Sequence, residues 1–129
     1  MASATYVQNT TAYDCSTNDP VDVIVELDVT TTNTPAGNKK VDVFIRDSLD
    51  GTNYRSGPTS GTTTTREPNL LYLGSLPVTT ASTAEIGTWS IKAALGYVPV
   101  SFFVVVKNDL GVALTSGTAF TSEISVTVT

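Results

Sequence analysis

The sequence predicts an all-β fold: an antiparallel β-sandwich, immunoglobulin-like or jelly-roll-like, of about seven or eight short strands. Three observations predict it. Apolar residues recur at every second position in three late rows: Trp89, Ile91, Ala93 and Leu95, then Val100, Phe102, Val104 and Val106, then Phe120, Ser122, Ile124, Val126 and Val128. A period of two sends alternate side chains to opposite faces of a strand, so each row can pack on one core. Turn-forming clusters of Gly, Pro, Asn, Asp and Thr interrupt the chain at short intervals. Finally, no apolar spacing of helical period persists beyond two turns.

The elements follow in order. Residues 1–20 are polar with isolated apolar points at Tyr6, Val7 and Tyr13, which reads as an N-terminal arm or an edge strand. Residues 21–129 then form a single sandwich domain. In residues 21–29, Val21, Val23, Val25, Leu27 and Val29 alternate with Asp22, Ile24, Glu26 and Asp28, the pattern of a half-buried strand. Residues 30–38 are a loop, and residues 41–48 a second strand with Val41, Val43 and Ile45 inward. Asp50-Gly51 marks a tight turn, because glycine accepts a positive φ without a Cβ clash. Residues 57–68 form a long loop, and segments of that length without their own structure are often functional or mobile. Residues 70–76 read as a buried strand and 78–84 as a weaker strand or a connection. Strands follow at 89–95, 100–107 and 120–128, with turns at 96–99 and 108–111 and a short piece at 112–114. Residues 81–87 are the one stretch where a short helical turn fits.

The strand at 100–106 is apolar on both faces, since Phe103 and Val105 alternate with Val100 and Val104. It is either a central strand covered twice, or a strand whose second face meets a partner.

Composition narrows the function. The chain has 129 residues with 40% hydrophobic and 15% charged, enough for one globular domain with its own core. Its net charge of −5 and seven scattered basic residues argue against nucleic acid, which requires clustered Lys and Arg. No run approaches the ~20 apolar residues that span a bilayer. With a single cysteine, Cys15, no intrachain disulfide can form. The first residues lack a basic start and an apolar run, so no signal peptide is expected and synthesis in the cytoplasm is. Yet the surface is rich in Thr, with more than twenty in the chain, and poor in Lys, the style of an extracellular β-protein. A component made inside a cell and working outside it reconciles the two.

Reactive chemistry is scarce. Without histidine there is no Ser-His-Asp or Cys-His pair, and one cysteine cannot supply a zinc site. No cofactor, catalytic residue or metal ligand is expected. Asp22, Glu26 and Asp28 share one strand face, which is either a calcium-binding stripe or a solvated outer face. Asp47, Asp50 and Asn53 cluster at a turn, where Asp50 sets the turn and Asn53 caps it. Glu67 and Glu85 are the pair a two-carboxylate hydrolase would need. Tyr54, Tyr72, Trp89 and Tyr97 could form a sugar-stacking platform, although Trp89 reads better as a core anchor.

Five local motifs occur in a fixed order: Thr34-Pro35-Ala36-Gly37-Asn38-Lys39-Lys40, Ser48-Leu49-Asp50-Gly51-Thr52-Asn53-Tyr54, Leu73-Gly74, Ala93-Ala94-Leu95-Gly96-Tyr97-Val98-Pro99, and the run from Val104-Val105-Val106-Lys107 through Asn108-Asp109-Leu110-Gly111 to Val112-Ala113-Leu114. This ordered set, over roughly residues 31–114, resembles small virion structural proteins of tailed bacteriophages. The resemblance implies a non-enzymatic capsid decoration or cement protein at the virion surface. Its partner would be the major capsid protein or another virion protein, and it would act as a homo-oligomer, a trimer or dimer, without nucleic acid or membrane. A tail or head-fibre component and a carbohydrate-binding module are the alternatives. Partner contact is expected at Tyr6 and Tyr13 in the arm, at Thr63 in the long loop, at Tyr97, and at Phe103 and Val105 on the second face of their strand.

Overall fold

A computed structural model describes residues 1–125. Among these residues nine strands, all paired antiparallel, form two packed sheets: β1 (Tyr6–Gln8), β2 (Tyr13–Asp14), β3 (Asp22–Thr30), β4 (Lys40–Ser48), β5 (Ser60–Gly61), β6 (Leu71–Pro77), β7 (Glu85–Ser90), β8 (Ser101–Asp109) and β9 (Ser116–Ile124). A 3₁₀ turn spans Glu67–Asn69, and one short helix, α1, spans Ile91–Leu95. The large sheet runs β5-β1-β8-β4-β6, with β2 also on β8, and the small sheet runs β7-β3-β9. The expected all-β sandwich is the fold observed. No helix among the described residues is long and apolar enough to cross a membrane.

The core lies between the sheets. Val23, Val25, Leu27 and Val29 of β3 pack against Val41, Val43 and Ile45 of β4 and Phe102 and Val104 of β8, all buried. Trp89 reaches into this layer from β7. Glycine makes room for it on both sides, since a Cβ at Gly74 would lie 2.1 Å from the indole nitrogen and one at Gly87 2.6 Å from its ring.

The first twenty residues are integral to the fold. Tyr6–Gln8 and Tyr13–Asp14 both pair with β8, one beyond the other, and Asn9 bridges the gap by bonding the Val104 backbone through both its own N–H and its Oδ1. β1 thus lies inside the large sheet, between β5 and β8, and β2 lies on β8.

Three local expectations are corrected. Residues 89–95 are not a continuous strand. β7 ends at Ser90, whose Oγ accepts the Ala93 N–H at 3.0 Å, and α1 ends at Gly96 in the left-handed region with φ 82°. A serine N-cap and a glycine after the last turn bracket five residues rich in helix formers, and this outcompetes the apparent alternation. Residues 78–84 are a connection, so the helical turn lies later than the expected 81–87. The last strand begins at Ser116, earlier than expected, and Phe120, Ser122 and Ile124 stand opposite Glu26, Ile24 and Asp22. Ile124 of that row is 45% exposed. Val126 and Val128 lie outside the described residues.

β8 is central and covered twice. On the outer face of the large sheet, Tyr6, Phe44, Leu70 and Val105 form a second buried cluster. The segment 54–70 crosses this face as a strap. Pro58 and Leu70 are buried, Ser60–Gly61 adds a short ladder to β1, and Glu67 reaches Lys107 Nζ at 2.9 Å. At Gly57 a Cβ would fall 2.3 Å from Leu70, so the strap can close onto the sheet only with glycine there.

Candidate functional site

One end of the sandwich combines a rigid polar scaffold with exposed apolar side chains. It is built from the turn after β4, residues 48–55, and the loop between α1 and β8, residues 96–101.

Asp50 organises the turn. Its Oδ1 accepts the backbone N–H groups of Thr52 at 2.8 Å and Asn53 at 2.7 Å and the Ser48 hydroxyl at 2.9 Å, and its Oδ2 accepts Asn53 Nδ2 at 2.8 Å. Gly51 occupies φ 77°, and its N–H returns to Ser48 Oγ at 2.9 Å. The donors from Asn53, then Thr52 and Ser48, favour the ionised carboxylate and hold Asp50 far below the usual carboxylate range. The expected roles of Asp50 and Asn53 are the ones seen.

Asp47 ties the turn to the neighbouring loop. It is buried, and its two oxygens accept Arg55 Nε at 2.7 Å and the Tyr97 hydroxyl at 2.6 Å. Burial works to raise its pKa, but the Arg55 and Tyr97 hydrogen bonds and the Arg55 charge outweigh it, so the net direction is downward. Tyr97 moves the other way, raised by its own burial and by the Asp47 carboxylate. Behind this pair, Tyr54 bonds Ser101 Oγ at 2.7 Å and leans on the Phe103 ring at 4.9 Å, while Arg46 donates to the Arg55 carbonyl at 2.7 Å.

This scaffold presents Leu49, 72% exposed at the tip of the turn, with Tyr97 and Val100 exposed on the adjoining loop. Gly51 lies against Val100, with a Cβ position 3.7 Å from its methyl carbon, so the two loops meet. Holding so much apolar surface on a hydrogen-bonded turn suits contact with another surface. It does not suit proton transfer: Asp47 and Asp50 are shifted down, Tyr97 up, and every carboxylate oxygen of the two aspartates already has a donor. Among the described residues, no group of three or more His, Cys, Asp and Glu could hold a metal ion.

The sequence-selected residues are dispersed. Tyr97 is at this end and exposed, and Thr63 is exposed on the strap. Tyr13 is half-buried, its hydroxyl donating to Glu123 at 2.7 Å. Phe103 is half-buried beneath Tyr54 and Arg46. Tyr6 and Val105, at 1% and 0% exposure, are closed off by the chain's own strap and cannot touch a partner in this conformation. The second face of β8 is thus an internal seam. The four aromatics of the supposed sugar platform do not share one face: Trp89 packs against the core and Tyr72 lies on the outer face of β6, while Tyr54, stacked on Phe103, and Tyr97 are at the loop end. Glu67, in the 3₁₀ turn, is paired with Lys107 of the large sheet, whereas Glu85 begins β7 of the small sheet. In the acidic stripe, Asp22 accepts the Ser90 hydroxyl and the Lys92 and Val23 N–H groups, a structural anchor for the start of α1.

Leu49 and Val100 escaped the sequence reading because each lies at the margin of an alternating strand. The available signal was an apolar residue within a Ser-Leu-Asp-Gly turn, where only polar residues are needed. No protein-family model, curated protein or solved structure matches this chain.

Proposed function

We propose that this protein is a non-enzymatic structural component of a virion, which binds the outer capsid surface and stabilises the shell as a homo-oligomer. The observation that carries the reading is the loop end: Leu49, Tyr97 and Val100 displayed on a turn locked by Asp50 and cross-linked through Asp47, Arg55 and Tyr97. Two of the five motifs behind the resemblance contribute to it, namely residues 48–54 and 93–99. A rigid apolar tip loses little conformational entropy on docking, so a modest contact binds, and repetition over a symmetric shell multiplies it. The ionisable groups of this end serve the turn itself, which supports a binding role over catalysis.

The test is sedimentation of the purified chain with shells lacking it. The reading expects saturable co-sedimentation that Leu49→Asp and Tyr97→Ala each reduce at least tenfold, with the fold retained by circular dichroism. Binding to tail structures alone would move the protein to the tail or fibre. A strict monomer that binds polysaccharide and no virion part would overturn the reading.

A further inference from the structure

We infer that the free edge of β9 is a self-association site, where two copies pair antiparallel about a two-fold axis and join their small sheets into one six-stranded sheet. The inference deepens the homo-oligomer part of the proposal above and does not need a shell as partner.

The first observation is the edge. β9 closes the order β7-β3-β9 and, among the described residues, has no neighbour on its far side. Its side is set by two bonds. The Ile124 carbonyl faces β3, accepting the Val21 N–H at 2.9 Å, and the Val23 N–H turns the other way, to Asp22 Oδ1 on the β7 side. Alternation along the strand therefore aims the backbone N–H and C=O groups of Gly117, Ala119, Thr121 and Glu123 at the open edge. A row of unpaired groups over nine residues is a template for another strand. The chain's other edges are blunted. β5 is two residues long, β6 is bulged against β4 between Val43 and Phe44 and ends in Pro77, and β7 is six residues and begins with Glu85. β9 contains no proline and no lysine, and its one charged residue, Glu123, is tied by its carboxylate to the Tyr13 hydroxyl and Asn18 Nδ2.

The second observation is beside it. The large sheet is wider than the small one, and past β9 its inner face is uncovered. Val7 of β1 faces inward in register with Val106 yet is 47% exposed. There a groove of about 270 Å³ opens between the sheets, lined by Val7, Leu27, Val29, Val104, Val106 and Leu114. A strand added to β9 extends the small sheet over this groove.

The occupant is a second copy. Antiparallel pairing of a strand with itself uses the same groups on both sides, closes after two copies and leaves no β9 edge free. Centred on Phe120, it sets each Glu123 opposite Gly117 of the other copy, so two chains of net charge −5 meet without facing carboxylates.

Two measurements on the purified chain test this. Analytical ultracentrifugation across a concentration series is expected to show a monomer–dimer equilibrium. Thr121→Pro removes an N–H directed at the open edge and spares the β3 ladder, so it should weaken dimerisation about tenfold or more. On the unsubstituted chain, hydrogen exchange at Gly117, Ala119, Thr121 and Glu123 should slow as the dimer forms. A monomer at all concentrations, an oligomer indifferent to Thr121→Pro with those four amides unprotected, or a mass that climbs without limit would overturn the inference. Shell binding plays no part in either measurement, so loss of shell binding with dimerisation intact counts only against the capsid reading.

Discussion

The two sheets of this sandwich are covered differently. The centre of the large sheet, at β8, is buried on both faces, by the small sheet within and by the strap of residues 54–70 without, so Val105 and Tyr6 are as inaccessible as Phe102. The small sheet is buried on one face and leaves Ile86 57% exposed beside Glu26 and Asp28. The difference is already written in side-chain alternation. β8 is apolar at odd and even positions alike, as a doubly covered strand must be, whereas β3 alternates Val with Asp and Glu and meets water on one side. The contrast teaches that a two-faced apolar strand need not be a partner's seam: the strap of the same chain, held by Gly57, Leu70 and the Glu67–Lys107 pair, suffices to cover it.

The comparison can be broken at its centre first. Phe102→Ala empties the inner face of β8 and should cost about 3–5 kcal/mol in urea unfolding. A cost below about 1 kcal/mol would mean that the inner layer is not the principal core. Next is the anchor at the loop end. Asp47→Asn should cost about 1–3 kcal/mol at neutral pH, because Arg55 and Tyr97 lose a charged acceptor. The folded-state pKa of Asp47 lies below its unfolded value. Its contribution is therefore fully present above about pH 4 and is lost as pH falls through the folded value, so the gap between wild type and variant should close in acid.

A smaller effect probes the strap. Among the described residues the buried Tyr6 hydroxyl has no hydrogen-bond partner. Tyr6→Phe removes that uncompensated group and should raise stability by about 1 kcal/mol. A loss instead would show that the strap supplies a partner in solution. Smallest is the control on the open face: Ile86→Lys should change stability by no more than about 0.5 kcal/mol. A larger loss would mean that the small sheet is covered after all.

Much of the frame was legible because three strands state their burial plainly. β3, β4 and β8 were located within a residue or two, with Val41, Val43 and Ile45 inward as expected. The short bridges β1, β2 and β5 were not, since two or three residues carry no periodicity and their pairing depends on β8 being in place. α1 was misread for a physical reason: Ile91 and Leu95 satisfy both a period of two and an i, i+4 helical spacing, and the Ser90 cap with Gly96 decides between them. The register that sets Ile124 of β9 opposite Asp22 of β3 is a long-range property that local periodicity does not carry. At the candidate site the Asp50 turn was readable from local chemistry. The reach of Tyr97 to Asp47, fifty residues apart, was not.

The proposed contact with a capsid surface is tested most directly by a density map of intact virions that carry the chain. The account predicts density for this sandwich at symmetry-related positions on the outer shell, with the Leu49 and Tyr97 end against the capsid. Particles whose shells carry no such density would contradict it.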